Sequence, residues 1–123
     1  MDVTTERTAP GGPIVVSVSG EVDVLTASAL QDALAAAAAD TSQAGTPQVV
    51  VDLSGVEFLD STGLSALVFG LKRARERGGD LSVVCQHRQI LKVLDITGLS
   101  RILQVYGEIP EATGALPSSQ RAG

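Results

Sequence analysis

Aromatic residues are scarce in this sequence, which contains two Phe, one Tyr and no Trp among its 123 residues. A surface that binds single-stranded nucleic acid stacks the bases on aromatic side chains, so the composition argues against that kind of binding. Positive charge is also scarce, because the formal net charge is -5. Binding to a phosphate backbone needs an excess of Lys and Arg on one face. We therefore expect no direct nucleic-acid partner.

Cysteine and histidine occur once each. A single Cys85 cannot form an internal disulfide, and one Cys with one His cannot make a Cys/His zinc site. Because Cys85 follows two valines, we predict that it is a small buried side chain. We expect no metal and no cofactor.

Signals for membrane insertion are missing as well. No positively charged leader followed by an apolar run opens the sequence, and the Ala-rich run 35–39 is too short to span a bilayer. We therefore expect a cytoplasmic protein that does not contact a membrane. The one basic run extends from Lys72 to Arg77. We interpret it as the solvated last turn of a helix, where cations suit the macrodipole; a docking patch is the alternative.

The sequence does contain a large aliphatic fraction, since 44% of its residues are hydrophobic. This fraction and the length of 123 residues predict a single domain with its own aliphatic core. We expect residues 1–12 to form a strand and loop, residues 14–107 to form the core, and residues 114–123 to be a flexible tail.

Two periodicities alternate along the chain. Alternating and β-branched runs predict strands at 2–8, 14–19, 49–53, 81–85 and 102–106. Apolar residues at helical spacing predict helices at 27–39, from Gly63 to the glycines at 78 and 79, at 88–97, and a short one within 110–116. Such alternation favours an α/β fold in which helices join the strands of a mixed sheet. Four to five strands and three to four helices fit the length.

Local signals predict where the elements begin and end. Residues 20–23 are predicted to end the second strand, and Ser54 with Gly55 to interrupt the third, which then continues at 56–59. The hydroxyl of Thr26 is predicted to cap the first helix. The apolar stripe of the second helix is predicted to comprise Leu64, Leu67, Val68 and Leu71.

The stretch EFLDSTGLSAL, residues 57–67, lies where the third strand passes into the second helix. Asp60, Ser61 and Thr62 stand side by side there, followed by Gly63. Each of the three side chains can cap a helix by accepting a hydrogen bond from a backbone amide. One cap needs only one residue, so at least one hydroxyl is left facing solvent at the positive end of the helix.

Nucleophilic catalysis is one use for such a hydroxyl, but a serine nucleophile needs a base, normally His. His87 is the one histidine, and it follows the next strand. The letters LDSTG also differ from the G-x-S-x-G elbow of serine hydrolases. We therefore expect no enzymatic activity, with a small serine hydrolase using Ser61 and His87 as the alternative.

Phosphorylation is the other use. A phosphate at a helix N-terminus would add about -1.5 to -2 charges at pH 7 beside Asp60. A change of that size is enough to release a bound partner that carries a carboxylate nearby.

Three stretches carry a resemblance to a known family: VSGEVDVLTASAL, VVVDLSGVEFLDSTGLSALV and GGDLSVVCQHRQILKVLDITGL. In this order and at these distances they resemble anti-sigma factor antagonists of the STAS-domain family, over about residues 14 to 107. The resemblance implies a STAS-type domain whose helices pack mainly on one face of the sheet.

The resemblance also implies a function in transcription regulation by partner switching, as in a stress response. An antagonist of this family binds an anti-sigma factor that is also a serine kinase, and so frees a sigma factor. Phosphorylation by the kinase ends the complex, and a serine phosphatase resets it. A STAS module for sensing a nucleotide or small ligand, or for scaffolding in a signalling complex, is the alternative.

Site residues follow from the motif match. The phosphate acceptor is expected to be Ser61, with Thr62 as second choice. Asp60 is expected to shape recognition by the kinase, and Gly63 to let the partner backbone approach. The complete set expected to contact the partner is Gly20, Glu21, Asp23, Asp60, Ser61, Thr62 and Gly63.

Further along the second helix, Ser65 and the residues from Val68 to Lys72 are expected to include docking positions. Two segments depart from the family pattern. The connection ADTSQAGTP is longer than usual, and the last helix is weak.

Overall fold

The computed structural model describes residues 1–7, 12–39 and 48–113. Within these ranges the strands are β1 (Asp2–Arg7), β2 (Ile14–Val22), β3 (Gln48–Leu59), β4 (Asp80–Val84) and β5 (Gln104–Tyr106). The helices are α1 (Ala27–Ala38), α2 (Ser61–Glu76), α3 (Arg88–Ile96), α4 (Leu99–Ile102) and α5 (Ile109–Thr113). No helix in these ranges is both long enough and apolar enough to cross a membrane.

The five strands form one mixed sheet in the order β1-β2-β3-β4-β5. β1 pairs antiparallel with β2, and every other neighbouring pair is parallel. A parallel pair needs a crossover connection, which α1, α2 and the α3–α4 segment provide. Because β2 and β3 are neighbours and run parallel, their C-terminal ends lie side by side.

The main core lies between one face of the sheet and helices α1 to α4. Its largest fully buried side chains are aliphatic: Leu30, Leu34, Leu53, Leu67, Leu81, Leu94 and several valines of the strands. The opposite face carries a small cluster of Val15, Val50 and Val84, against which Tyr106, Ile109 and Ala112 pack. The predicted α/β fold, with a mixed sheet and helices mainly on one face, is confirmed.

Two predicted interruptions of strands were wrong. β2 continues through Gly20 to Val22, since Gly20 adopts a φ of 88° that glycine tolerates without strain. β3 runs without a break through Ser54 and Gly55, because β-bulges absorb the extra residues where its register against β2 shifts. A Cβ on Gly55 would lie 2.9 Å from Cβ of Ser19, so the close approach of the two strands requires glycine there.

The segment predicted as a strand at 102–106 divides in two. Ile102 belongs to the short helix α4, and β5 is limited to Gln104–Tyr106. The apolar residues of this segment favour a strand by composition, but Leu99 and Leu103 are buried in the helix-covered core, and a helical turn brings both there. For this reason the described residues contain five helices rather than three to four.

Other boundaries lie close to their predicted positions. α2 begins at Ser61, two residues before the predicted start. α5 covers Ile109–Thr113 and so begins one residue before the range 110–116 in which a short helix was predicted. Gly98, with a φ of 82°, follows the last turn of α3 as expected. The predicted loop at 41–47 and the predicted tail at 114–123 lie outside the described residues.

Candidate functional site

Asp60 caps the N-terminus of α2. The backbone of Asp60 is extended, as is usual for a capping residue. Its side chain accepts hydrogen bonds from the backbone amides of Thr62 at 3.0 Å and Gly63 at 3.1 Å. These are two of the amides that have no partner within a helix. Of the three predicted capping candidates, the acid therefore performs the role.

Thr62 is tied to this cap. Its hydroxyl donates a hydrogen bond to Oδ1 of Asp60 over 2.5 Å. This bond is the largest cause that lowers the pKa of the Asp60 carboxyl below its ordinary value, and the bonds from the Gly63 and Thr62 amides act in the same direction. Asp60 therefore stays a carboxylate to a lower pH than an ordinary aspartate does, and the hydroxyl of Thr62 is occupied.

Ser61 is the first residue of α2 and is exposed. Its carbonyl accepts a hydrogen bond from the hydroxyl of Ser65, at 2.9 Å. Its own hydroxyl makes no hydrogen bond to any residue in the described ranges. The structure thus separates the two neighbouring hydroxyls, because that of Thr62 serves the cap while that of Ser61 is open to a reagent.

Gly63 is buried, and the reason for a glycine here lies inside the protein. A Cβ at this position would lie 2.9 Å from Cγ1 of Val22 and closer still to Cδ1 of Leu59. The absence of a side chain lets α2 approach the ends of β2 and β3. The expected approach of a partner backbone to Gly63 is not needed to explain the residue, and contact with a partner there stays a prediction.

The turn between β2 and α1 lies beside the cap. Val22 pairs with Leu59 at the end of the parallel ladder, and the amide of Asp60 donates to the carbonyl of Val22 at 3.2 Å. Glu21 is exposed opposite Phe58. The structure therefore brings the predicted residues 20–23 to the same edge of the sheet as residues 60–63, although about 40 residues separate them in the chain.

Asp23 and Thr26 hold the shape of this turn. Oδ1 of Asp23 accepts from the amide of Leu25 at 3.0 Å, and the hydroxyl of Thr26 accepts from the amide of Asp23 at 3.0 Å. Thr26 occupies the N-cap position of α1, but its side chain makes no capping bond to the helix. The predicted capping role of its hydroxyl was wrong, because the hydroxyl is used within the turn.

The tip of this turn carries two apolar side chains that the sequence analysis missed. Val24 is 70% exposed and Leu25 is 85% exposed, and Phe58 on the neighbouring strand is 49% exposed. A patch of large exposed apolar side chains often marks an interaction site. The signal in the sequence was an apolar pair directly after the acid of GEVD, outside any strand or helix pattern.

The inward stripe of α2 also differs from the prediction. Its buried residues are Gly63, Ala66, Leu67, Gly70, Leu71 and Ala74. Small residues bring the helix close to its neighbours, as at Gly70, where a Cβ would lie 2.8 Å from Cδ1 of Leu34. Leu64 and Val68, predicted to face inward, are only partly buried and pack at the margin of the core.

A groove runs along the outer side of α2 and has a volume of about 530 Å³. Its floor and walls come from α2 and from the junction of α3 and α4. The lining residues are Ser61, Leu64, Ser65, Val68, Phe69, Lys72, Thr97 and Leu99. Ser61 therefore stands at one end of a surface that is mostly apolar.

The basic run at the end of α2 is exposed, as predicted for a solvated last turn. Arg75 donates to the carboxylate of Asp80 at 3.3 Å and to the carbonyl of Ile102. Arg73 lies 3.7 Å from the carboxylate of Glu76. The contacts of Arg75 tie α2 to β4 and α4. Lys72 lines the groove.

His87 and Cys85 take no part in the hydrogen bonds at the N-terminus of α2. His87 is exposed and precedes α3, and it makes no hydrogen bond to Ser61 within the described residues. Cys85 is 2% exposed, as predicted, and burial raises the pKa of its thiol. Among the described residues, no group of three or more His, Cys, Asp or Glu side chains could hold a metal ion.

Comparisons with known proteins agree with this architecture. The STAS domain model matches residues 4–112 of the chain. An anti-sigma-B factor antagonist of Staphylococcus epidermidis is 36% identical over 90 residues, which cover 73% of this chain and 80% of the relative. An anti-sigma-B factor antagonist of Staphylococcus aureus is 31% identical over 105 residues, 85% of this chain and 94% of the relative.

A solved structure gives the same result. The crystal structure of an anti-sigma factor antagonist from Mycobacterium paratuberculosis superposes with a TM-score of 0.76 and 36% sequence identity, covering 93% of each chain. The family expected from the three sequence stretches is thereby confirmed: the chain belongs to the STAS domain family and is similar to its anti-sigma factor antagonists.

Proposed function

We propose that this chain is an anti-sigma factor antagonist. In its unphosphorylated form it binds an anti-sigma factor that has serine kinase activity, and so frees a sigma factor for transcription. Phosphorylation of Ser61 by that kinase ends the complex, and a serine phosphatase restores it. The chain itself is a binding protein in this scheme and turns over no substrate.

The observation that carries the proposal is the state of the Ser61 hydroxyl. It is exposed, makes no hydrogen bond within the described residues, and stands at the edge that also presents residues 20–23. Antagonism is the function in the names of the relatives that are 31% to 36% identical to this chain over the aligned residues. An open hydroxyl at an interface is what a kinase needs in order to act on its own binding partner.

The cap explains why a phosphate here would act outward. A phosphate at a helix N-terminus normally accepts bonds from the free amides, but Asp60 already accepts from the amides of Thr62 and Gly63. The phosphate would therefore stay in solvent beside the charged carboxylate of Asp60, whose pKa lies below its ordinary value. The backbone need not change, and the charge of the surface does.

The charge change is large enough to release a partner. A phosphate adds about -1.5 to -2 charges at pH 7. A partner carboxylate about 4 Å away would meet a repulsion of roughly 4 kcal/mol per charge pair at an effective dielectric constant near 20. A hundredfold loss of affinity requires only about 2.7 kcal/mol, so the switch tolerates considerable screening.

The test begins with identification of the partner. The chain is co-purified from its native host, the bound anti-sigma factor is identified by mass spectrometry, and that protein is then purified. Titration calorimetry should show tight binding to the wild type and to Ser61→Ala, and a loss of about a hundredfold or more for Ser61→Glu. Binding of Ser61→Glu with wild-type affinity would refute the proposal.

Site selection is tested with ATP and the same anti-sigma factor. Incorporation of phosphate should stop in Ser61→Ala and continue in Thr62→Ala, because the hydroxyl of Thr62 is engaged by Asp60 and that of Ser61 is not. Phosphate transfer to Ser61→Ala at the wild-type rate would show that the acceptor is another residue.

A further inference from the structure

Two neighbouring hydroxyls at the start of α2 differ in their surroundings. Ser61 is exposed, and its hydroxyl makes no hydrogen bond within the described ranges. Thr62 is half-buried, and its hydroxyl donates to Oδ1 of Asp60 at 2.5 Å. The Cα atoms of adjacent residues are only about 3.8 Å apart. An enzyme that brings a phosphoryl group to one of these hydroxyls therefore brings it close to the other, so distance alone discriminates weakly between them.

The bond to Asp60 holds the proton that Thr62 would have to give up in such a reaction. In phosphoryl transfer from ATP the hydroxyl oxygen attacks the γ-phosphorus, the bond to the β-phosphate oxygen breaks and ADP leaves, and the hydroxyl proton passes to a base of the kinase. The proton of Thr62 points instead at a carboxylate whose pKa is lowered, and so weak a base accepts a proton poorly near neutral pH. Transfer to Thr62 would first require this bond to break.

The same oxygen of Asp60 also forms the helix cap. Oδ1 accepts from the amides of Thr62 and Gly63 as well as from the Thr62 hydroxyl. The amides therefore hold the carboxylate in the position from which it engages that hydroxyl. The hydroxyl of Ser61 is left out of the cap, so the cap itself distinguishes two adjacent acceptors.

We propose that Asp60 is a positioning residue that restricts phosphorylation to Ser61 by holding the hydroxyl of Thr62 in the helix cap. This inference deepens the proposed function and rests on it, since it takes the same kinase. It concerns which of two hydroxyls reacts, and it is separate from any role of the acid in attracting the kinase. Removal of the carboxylate acceptor is therefore expected to make Thr62 a second acceptor.

The strength of the bond sets the size of the effect. A hydrogen bond to a charged group corresponds to about ten- to a hundredfold in an equilibrium constant. The wild type should carry phosphate on Ser61, and in Asp60→Gly the amount of phosphate on Thr62 relative to Ser61 should rise by about tenfold or more. Glycine is accepted at a helix N-cap with little loss of stability, so this variant is expected to keep the fold.

Asp60→Asn is the matched control. The side-chain oxygen of asparagine can accept from the same amides and from the hydroxyl of Thr62, but the side chain carries no negative charge. Phosphate should therefore stay on Ser61 in Asp60→Asn. Comparison of the two variants separates the effect of the hydrogen bond from the effect of the charge.

The experiment incubates each variant of the chain with ATP and the purified anti-sigma factor. Fragmentation mass spectrometry assigns the phosphate to Ser61 or Thr62, and the ratio of the two is compared between variants. The ratio is informative because a purely structural defect would slow both transfers together. As a second measurement, Asp60→Gly combined with Ser61→Ala should take phosphate on Thr62, whereas Ser61→Ala alone should take none. Circular dichroism confirms that each variant is folded.

Three results would overturn the inference. If Asp60→Gly carries phosphate on Ser61 alone and its combination with Ser61→Ala carries none, the partial burial of Thr62 excludes that hydroxyl without help from Asp60. If Asp60→Gly takes no phosphate at all, the acid serves recognition by the kinase. An equal gain of phosphate on Thr62 in Asp60→Asn would assign the selection to charge.

These results leave the proposed function intact, because the wild type is still phosphorylated on Ser61 in each case. Phosphate transfer to Ser61→Ala at the wild-type rate is the separate result that refutes the function.

Discussion

The hydroxyl of Thr62 donates a hydrogen bond to the carboxylate of Asp60, 2.5 Å away and two residues earlier in the chain. The same carboxylate accepts from the amides of Thr62 and Gly63. Ser61 lies between Asp60 and Thr62, and its side chain takes no part in the cap. One local network thus builds the helix end and leaves a single hydroxyl open.

Thr62→Val should raise the pKa of Asp60 toward its ordinary value of 3.8, because the bond from the Thr62 hydroxyl is the largest cause of the lowered pKa. The change can be followed by NMR titration of the Asp60 carboxyl carbon. Ser61→Ala is the matched control and should leave the pKa unchanged. An equal shift in both variants would mean that the hydroxyl of Thr62 is not the source.

Acid should remove part of the stability through Asp60. Because the folded pKa lies below the unfolded value of 3.8, the unfolded chain takes up the proton first and lowering the pH favours unfolding. The contribution is complete above the unfolded pKa and is lost as the pH falls through the folded one. Asp60→Asn keeps an acceptor for the amides but does not titrate.

Urea unfolding between about pH 5 and about pH 2 measures this contribution. The midpoint of the wild type should fall further than that of Asp60→Asn over this range. Parallel curves for the two proteins would contradict the prediction, since other carboxyl groups affect both equally.

Gly63→Ala should destabilise the fold despite the better helix propensity of alanine. Propensity favours alanine by about 1 kcal/mol, but the new Cβ would crowd Val22 and Leu59, and overpacking of this kind costs about 1–3 kcal/mol. We expect a net loss of about 1 kcal/mol in the free energy of unfolding, measured with urea.

A double-mutant cycle identifies the cause of that loss. Leu59→Ala should cost less in the Gly63→Ala protein than in the wild type, because the smaller side chain makes room for the added methyl group. Additive effects would show that the crowding is relieved elsewhere.

Leu67→Ala and Leu64→Ala should differ in cost although both replace a leucine of α2. Leu67 is fully buried in the main core, and its truncation should cost about 2–5 kcal/mol. Leu64 lies at the margin of the core and lines the groove, so its truncation should cost about 1 kcal/mol or less. Equal losses in urea unfolding would place Leu64 in the core.

The sequence by itself determined the classes of structure and the place of the helix start that carries the candidate site. Aliphatic runs alternating between periods of two and about 3.6 residues specify strands and helices locally, and their order restricts the fold to an α/β sheet with helical crossovers. The acid and hydroxyls of residues 60–62 specify a helix start because side chains of this kind accept hydrogen bonds from its free amides. These properties depend on neighbours in the chain, so they could be predicted.

Only the tertiary structure decided which surfaces the site contains. Residues 20–23 join residues 60–63 because β2 and β3 pair in parallel, and the exposed Val24 and Leu25 became part of the same edge. Leu64 and Val68 line a groove because glycine and alanine, rather than leucine alone, form the buried stripe of α2. Close packing between elements distant in sequence selects these arrangements, and no local pattern encodes it.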